Sequence, residues 1–367
     1  MKKRTHNWPQ LWVMLFLNMM LLGVLGCTYS DFRESGGSGG VFGIGLYGGQ
    51  NGITADPAVV NYRSDSPFHQ KIMDNPEIDP NSAAMVARLA KYATGGLVVA
   101  TDEWAIPIFY ANGSTQRYDV RLTASWLPFV NDRQIEYLKN VPIPDSAQPD
   151  PMGDGHMTII DLRQGYEYDF WQMRKVNDSW QASWGNRIDL DSTGIYPNGM
   201  SSLGSGVAGA GGLIWAQELQ SGIIRRKLLF TVPPQVCAAG GPVLPATESD
   251  GTSTEANTIP EGAILQLDPS IDVNDTSHGF TKLEKIIAKA MQDYGVIIGD
   301  VGSSEFGVRA VSPLSYPNNP YIELTRSEDT WHGFIFLRNI SISDLRVLKL
   351  PPQYDPDLSV ADESIYR

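Results

Sequence analysis

The most regular apolar pattern of the chain lies in its last quarter and predicts an amphipathic helix over residues 283–294. Thr281 and Glu284 form a capping box there, in which the hydroxyl and the carboxylate satisfy amides at the helix start. Gly295 suits the position just after the last turn. The following residues then recur at helical spacing and form one apolar stripe: Leu283, Ile286, Ile287, Ala290, Met291 and Tyr294.

Two other segments favour helices. The first runs from Pro80 to Tyr92, with Asp79 as the cap, Pro80 at the first helical position and Gly95 beyond the end. The second is shorter and covers residues 213–220. Both are expected at the periphery of the fold.

Nearly all other apolar segments are short, aromatic or β-branched, and separated by Gly, Pro, Asn and Asp, as is typical of strands. A hairpin that turns at Asn177-Asp178 carries Trp171, Trp180 and Trp184. With no internal repeat, this pattern predicts a mainly β fold, namely an antiparallel β-sandwich or jelly roll with two or three peripheral α-helices. Strands are predicted at residues 97–100, 105–110, 118–122, 157–161, 167–174, 179–190, 225–232, 264–267, 296–300, 307–311, 333–336 and 345–350.

The amino terminus has a positive segment, Lys2-Lys3-Arg4, followed by an apolar run at residues 11–26. That run is shorter than the roughly 20 residues of a membrane-spanning helix and is typical of a signal peptide. Val24-Leu25-Gly26-Cys27 then resembles the lipobox of bacterial lipoproteins. The resemblance implies lipid on the Cys27 thiol and cleavage just before this residue. An uncleaved anchor is the alternative.

The lipobox resemblance also implies a location. A lipidated protein would be anchored to the cell envelope on the extracytoplasmic side of a membrane. Thr28 follows the cysteine, whereas an aspartate there resembles an inner-membrane retention signal in enteric bacteria. We therefore expect the outer membrane if the organism has one.

Composition divides the chain into four parts. Residues 1–26 are the predicted signal peptide and residues 27–60 a lipidated, Gly/Ser-rich tether. Residues 61–350 form a single β-rich domain, and residues 351–367 a loose, acidic C-terminal tail. Within the domain, residues 204–212 are predicted to be a mobile glycine loop, and residues 247–259 a polar segment that lines or covers a site. A GxGxxG match at residues 43–48 has no strand before it and no helix after it, which excludes a dinucleotide site.

Charge and cysteine content narrow the functional classes. The chain has 28 basic and 41 acidic residues, a net charge of −13. Without Lys2, Lys3 and Arg4, 25 basic residues remain against 41 acidic ones, a net charge of −16. Phosphates repel such a body, so nucleic acid is excluded as a partner.

The two cysteines of the chain are Cys27 and Cys237. If Cys27 carries lipid, Cys237 has no partner for a disulfide. Because Cys237 has no neighbouring histidine, we interpret it as an unreactive thiol.

Acidic residues in two segments are the candidates for catalysis. Asp154 and His156 precede a strand on which Glu167, Asp169 and Trp171 share one face. A carboxylate and a histidine there can act as base and orienter. In the polar segment, Glu248 and Asp250 are a possible acid pair of the kind that glycosidases use. The catalytic candidates are therefore Asp154, His156, Asp169, Glu248 and Asp250, although all of them suit turns or strand edges equally well.

Aromatic residues give the broadest indication of a ligand. Flat aromatic faces can stack on sugar rings in concave sites, and the substrate-binding candidates are Tyr168, Trp171, Gln172 and Trp184. The same aromatic residues could instead form the core. The stretches 154–156, 166–172, 184–186 and 248–251 are similar to secreted bacterial proteins of unassigned activity. The strand-rich, Trp-rich pattern more loosely resembles lectin-type sandwiches, a class that includes glycan lyases and hydrolases.

These resemblances imply a membrane-anchored lipoprotein with a glycan-binding body. If the body is also an enzyme, a polysaccharide lyase or glycoside hydrolase is expected. The alternative is a non-catalytic envelope or adhesion protein whose aromatic residues are core. The expected partners are the membrane, through the lipid, and a polysaccharide.

Metal-binding motifs are absent from the sequence, so no metal site and no cofactor are predicted. HExxH and paired Cys or His motifs do not occur. Structural calcium is the remaining alternative. Residues 189–194 begin like a calcium loop, but Met200 stands where the twelfth-position acid is expected. Asp272, Asn274 and Asp275 offer oxygens without a defined spacing.

Overall fold

The computed structural model describes residues 60–124, 135–356 and 363–366. All the described residues belong to one compact unit. Cys27, the predicted signal peptide and nearly all of the predicted tether lie outside the described residues. None of the helices in the described ranges has the length and apolar character needed to cross a membrane.

The fold is mainly β, as predicted, with 29% strand and 17% helix. The helices of the described part are α1 Ser82–Tyr92, α2 Ala216–Ser221, α3 Lys282–Asp293 and α4 Tyr321–Leu324. The first three confirm the predicted helices to within a few residues, whereas α4 was not predicted. It has only four residues, which is too short for helical periodicity to be visible.

Helix α3 begins as its capping box requires. The Glu284 amide donates to the Thr281 hydroxyl at 3.2 Å, and the Thr281 amide donates to the Glu284 carboxylate at 2.8 Å. Gly295 follows the helix with φ of 81°, a conformation that glycine adopts at little cost. The apolar stripe, including Ile287 and Met291, is buried in the core.

Sixteen strands form three sheets in the described residues. Most lie where the apolar segments predicted strands, while β4 and β14 were not predicted. The strands are β1 Gly96–Ala100, β2 Ile108–Ala111, β3 Arg117–Leu122, β4 Tyr137–Pro142, β5 Met157–Asp161, β6 Tyr166–Trp171, β7 Arg174–Val176, β8 Ser179–Ala182, β9 Trp184–Asp189, β10 Leu228–Val232, β11 Ile264–Leu267, β12 Val296–Val301, β13 Glu305–Arg309, β14 Thr330–Trp331, β15 Phe334–Phe336 and β16 Leu345–Val347.

All three sheets mix parallel and antiparallel pairs. The eight-stranded sheet has the order β14-β15-β1-β13-β10-β12-β11-β16, and the four-stranded sheets have the orders β2-β5-β6-β9 and β4-β3-β8-β7. Strands β1 and β13, β10 and β12, β2 and β5, and β3 and β8 pair in parallel. The predicted antiparallel pairing therefore holds for most strand pairs but not for these four. Alternation along a strand identifies its buried face, but not the direction of its partner.

Three apolar clusters pack against the faces of these sheets. The first packs α1 and α3 against one face of the eight-stranded sheet. The second contains side chains from both four-stranded sheets, such as Ile159 of β5 and Trp180 of β8. The third joins the opposite face of β5, through Ile160, to Leu229 and Ile297 of the eight-stranded sheet. The sheet β2-β5-β6-β9 is thus covered on both faces, which is why its strands are almost entirely buried.

The glycine-rich segment at residues 204–212 is packed inside the protein, and the prediction of a mobile loop is wrong. All of its residues except Gly204 are buried. A Cβ atom on Gly209 would overlap both the Asp169 carboxylate and the Thr158 hydroxyl. The glycines therefore allow the backbone of this segment to approach β5 and β6 closely. Glycine-rich sequences occur both in flexible loops and at such close contacts, so the sequence alone did not distinguish the two.

The described part of the C-terminal segment, residues 351–356 and 363–366, is held more firmly than the predicted loose tail. The Tyr354 hydroxyl donates to the Ala246 carbonyl at 2.5 Å. Ile365 and Tyr366 are buried, and Tyr366 stacks on Trp184 with ring centroids 5.8 Å apart. These contacts attach the described part of the segment to the rest of the domain.

Candidate functional site

Charged side chains from four separate segments meet beside strands β12 and β13 of the eight-stranded sheet. Arg309, at the end of β13, lies between Asp300 of β12 and Asp154, with Nη–Oδ distances of 2.7 and 3.7 Å. Asp250 and Glu261 come from the connection between β10 and β11. Asp250, Glu261 and Asp300, which we call the carboxylate trio, each place one oxygen within 4.8 Å of the others.

An irregularity in the sheet accompanies Asp300. Along the β10–β12 pair, Phe230 faces Ile298 but Thr231 faces Asp300, so Gly299 is an extra residue. Such a bulge changes the direction of the side chains that follow it. Ser205, in the glycine-rich segment, donates a hydrogen bond from its hydroxyl to the Gly299 carbonyl at 2.6 Å. This contact holds the bulge in place.

Glu261 is the most enclosed member of the trio. It has no exposed surface, and its Oε2 accepts from the Asp250 amide at 3.0 Å. Its Oε1 has no hydrogen-bond partner among the described residues. Burial, followed by repulsion from Asp250, raises the pKa of Glu261 well above its usual range. A buried carboxylate oxygen that lacks a partner is costly, because water is lost from it without compensation.

Asp250 and Glu248 occupy different environments although they are close in sequence. The Asp250 residue remains exposed to solvent, but surrounding protein and repulsion from Asp300 raise the pKa of its carboxyl to about 7. Glu248 accepts from the Met200 amide at 2.6 Å, and burial raises its pKa to about 8. Gly204 leaves room for Asp250, since a Cβ atom there would lie 2.7 Å from the Asp250 Cγ.

His156 and Asp154 lie together, as predicted, but they are not an acid–base couple. Their closest atoms, Nε2 and Oδ2, are 4.0 Å apart. Burial, followed by the positive charge of Arg309, lowers the pKa of His156 to about 3. The imidazole is therefore neutral at physiological pH and a weak base, which does not favour the predicted catalytic role.

Asp169 belongs to a different cluster. It is completely buried beside Glu167, and it accepts from the Thr158 hydroxyl at 2.7 Å and the Tyr196 hydroxyl at 2.9 Å. The shared face of Glu167 and Asp169 confirms the strand alternation. However, Asp169 does not join Asp154 and Asp250, because that face of β6 packs against the glycine-rich segment.

The aromatic candidates divide into one at the site and two in the core. Trp171 is half-buried, and its Nε1 donates to Asp154 Oδ1 at 3.4 Å. Tyr168 and Trp184 are each only 2% exposed, so they present no face to a sugar. Their assignment as substrate-binding residues is therefore corrected: both fill the cluster between the two four-stranded sheets.

Gln172 is adjacent to the site through its backbone. Its amide donates to the Asp154 carbonyl at 2.7 Å, while its side chain accepts from the Ser183 hydroxyl at 2.5 Å. Trp104, which was not predicted as a site residue, is half-buried nearby, with its Cη2 3.9 Å from the Cβ position of Gly153. Trp171 and Trp104 thus flank the segment that carries Asp154.

Three charged residues of the site were not predicted, namely Glu261, Asp300 and Arg309. Each had a local signal. Asp300 ends the apolar strand predicted at residues 296–300, Arg309 interrupts the one predicted at 307–311, and Glu261 lies between Pro260 and Gly262. A charge on a buried strand requires a partner, but the sequence does not identify which charges become partners.

Cys237 lies next to the carboxylate trio, yet its environment favours an unreactive thiol. It is fully buried. Burial, followed by the negative charges of Glu261 and Asp250, raises the pKa of the thiol well above its usual range. Only the thiolate is strongly nucleophilic, so Cys237 stays inert at neutral pH.

Comparison with known proteins adds no family to this description. No protein-family model matches the chain, and no curated protein or solved structure shows significant similarity to it.

Proposed function

We propose that this protein is a lipid-anchored, extracytoplasmic lipoprotein whose body binds glycans at the surface around Asp154. The observation that carries the proposal is the contact between Trp171 Nε1 and Asp154 Oδ1, beside Arg309. A half-buried indole next to charged hydrogen-bonding groups offers a stacking face together with partners for hydroxyl groups. Sugar rings have this combination of an apolar face and a polar edge.

A binding role is favoured over cleavage by the condition of the catalytic candidates. The low pKa of His156 makes it a poor base. Asp169 and Glu248 accept hydrogen bonds from within the protein and hold neighbouring segments in place. The net charge of −16 inferred for the mature protein favours neutral or cationic glycans over strongly anionic ones.

The fold expected for such a body is a β-sandwich, and one part of the chain supports it. The two four-stranded sheets contribute side chains to a common apolar cluster. We propose that these sheets form a small sandwich and that the eight-stranded sheet, with its helices, is an addition to it.

Glycan binding should depend on the ring of Trp171. Replacement by alanine is expected to weaken binding about tenfold, because an aromatic contact contributes about 0.5–1.5 kcal/mol beyond its buried area. Trp171→Phe keeps a stacking face and should lose less. The measurement is a glycan-array screen, followed by calorimetric titration of the best ligand.

Tyr137→Ala provides the matched control, since Tyr137 is a half-buried aromatic residue on the other small sheet. The affinity of the Tyr137→Ala variant for the glycan should equal that of the parent protein. Release of reducing ends during the same titration would show that the site also cleaves its ligand. The absence of any glycan bound by folded protein would refute the proposal.

The proposed lipid anchor has a separate test. Cys27→Ser removes the thiol that would carry the lipid, and the protein should then move from the membrane fraction to the soluble fraction. Two or three acyl chains are needed for stable anchoring, at about 0.8 kcal/mol per buried methylene group. Cys237→Ala is the control and should remain with the membrane. Retention of Cys27→Ser in the membrane fraction would contradict the lipoprotein assignment.

A further inference from the structure

We propose that Asp250, Glu261 and Asp300 form a binding site for one hard divalent cation, with Ca²⁺ as the preferred ion. Within the described part of the chain, no other group of three or more Asp, Glu, His or Cys side chains is close enough to hold an ion. This site is distinct from the calcium loop considered at residues 189–194. The inference is independent of glycan binding.

The spacing of the carboxylate trio suits a single ion. One oxygen from each residue lies within 4.8 Å of the others. Oxygens bind Ca²⁺ at about 2.4 Å, so two of them on opposite sides of the ion are about 4.8 Å apart, whereas around Mg²⁺ they are about 4.2 Å apart. Three oxygens equally spaced around one ion are about 4.2 Å apart for Ca²⁺ and about 3.6 Å apart for Mg²⁺, so the trio needs to contract by about 0.6 Å at most to hold Ca²⁺ and by more to hold Mg²⁺.

The unpartnered oxygen of Glu261 is an independent indication of a ligand. Glu261 is fully buried, and its carboxylate faces Asp250 and Asp300, yet its Oε1 has no hydrogen-bond partner among the described residues. Buried polar atoms nearly always have a partner. A cation between the three carboxylates would supply it.

The charge balance of the site also favours a cation. Arg309 is the positive group that pairs with the trio, and it contacts Asp300 through Oδ2. The other oxygen of Asp300, Oδ1, accepts a hydrogen bond from the Gly204 amide at 3.4 Å. When all three are ionised, three carboxylates beside one guanidinium have excess negative charge, which a bound cation would neutralise. Oxygen donors with this charge favour Ca²⁺ over softer metals.

The site is accessible from solvent at Asp250, which is exposed although Glu261 is enclosed. An ion can therefore enter past Asp250 without unfolding the protein. Ca²⁺ takes about 6–8 oxygen ligands, so water would complete its shell on the open side.

The test uses the full chain in detergent, freed of metal with a chelator and then titrated with CaCl₂ in a calorimeter. We expect one ion per chain, weaker binding of MgCl₂, and a rise in the melting temperature with Ca²⁺, because a ligand of the native state stabilises it. Asp250→Asn and Glu261→Gln should each weaken Ca²⁺ binding by about tenfold or more, since affinity follows the number of charged ligands.

Asp191→Asn is the matched control, because it removes a carboxylate from the alternative loop at residues 189–194 and should leave Ca²⁺ affinity unchanged. The proposal is overturned if the folded parent protein binds no Ca²⁺, or if Asp250→Asn binds it as tightly as the parent. Loss of binding in Asp191→Asn alone would assign the ion to the loop instead. If Glu261→Gln does not fold, the exposed Asp250→Asn variant decides.

Discussion

Replacement of Gly262 by alanine is expected to lower the free energy of unfolding by about 3 kcal/mol or more, one of the largest effects of any single methyl group in this protein. Gly262 has φ of 89°, which L-residues rarely adopt. A Cβ atom there would also overlap the Val243 carbonyl oxygen, far inside the 3.0 Å that real Cβ atoms keep. Because the obstructing atom belongs to the backbone, no side-chain rotation can relieve the overlap.

Gly222 separates the two causes of this expected loss. It has a similar φ of 80°, but nothing lies within 4 Å of its Cβ position. Gly222→Ala should therefore show the conformational cost alone, about 1–2 kcal/mol. Urea unfolding of both variants measures the difference. Equal losses would mean that the backbone near Val243 moves aside easily.

The position of Gly262 links this stability effect to the site. The Gly262 amide donates to the Ile298 carbonyl at 2.7 Å and so attaches the segment to β12, the strand that carries Asp300. Glu261 immediately precedes it. A shift of the backbone at Gly262 would therefore move Glu261 relative to Asp300, and Gly262→Ala should also impair Ca²⁺ binding in any fraction that folds.

The sequence predicted those elements whose signals are local. The capping box of Thr281 and Glu284 marked the start of α3, and Asn177-Asp178 marked the turn between β7 and β8, where both residues have positive φ. The order of strands in the sheets was not predictable in this way. Strands β1 and β13 are neighbours although about 200 residues separate them, and no pattern within either strand identifies the other.

The site was predictable only in part for the same reason. Asp154 and Asp250 were identified because they lie in polar segments, where a carboxylate is conspicuous. Asp300 and Arg309 lie on largely buried strands and become a pair only when β12 and β13 bring them together across β10. Trp184 was misassigned because an aromatic residue on an alternating strand suits a core and a binding face equally well.

A second large effect is expected from pH, through the buried pair Glu167 and Asp169. Burial, followed by repulsion from Asp169, raises the pKa of Glu167 well above its usual range. Burial also raises the pKa of Asp169, although hydrogen bonds from Thr158 and Tyr196 favour its charged form. The pair therefore keeps a proton on Glu167 at a pH where an unfolded chain has lost it.

The sign of the effect follows from proton binding. Between the ordinary pKa of a glutamate and the raised pKa of Glu167, the folded state binds one proton more than the unfolded state. Stability contributed by this group is fully present at low pH and falls as pH rises through that window, by about 1.4 kcal/mol per pH unit. Stability should thus be higher at pH 5 than at pH 8.

Glu167→Gln isolates this contribution. Glutamine is neutral at every pH, its carbonyl can accept from the Ala210 amide as Glu167 Oε1 does at 2.8 Å, and its amide hydrogens can replace the acidic proton next to Asp169. Urea unfolding at pH 5, 6, 7 and 8 should therefore give a shallower decline for the variant, by about 1.4 kcal/mol per pH unit. The decline that remains comes from other groups, including Asp150 and Glu248, whose pKa values burial raises to about 7 and about 8.

Asp119→Asn is the control for this comparison. Asp119 is an exposed carboxylate paired with Lys139, and a hydrogen bond from the Asn140 amide, followed by one from Lys139, lowers its pKa. Its contribution to stability therefore changes only in acid, below the range of the measurement, and its profile should run parallel to that of the parent. If the Glu167→Gln profile were also parallel, Glu167 would be ionised in the folded protein. The hydroxyl groups of Tyr62, Thr158 and Tyr196 would then be stabilising two buried charges rather than one.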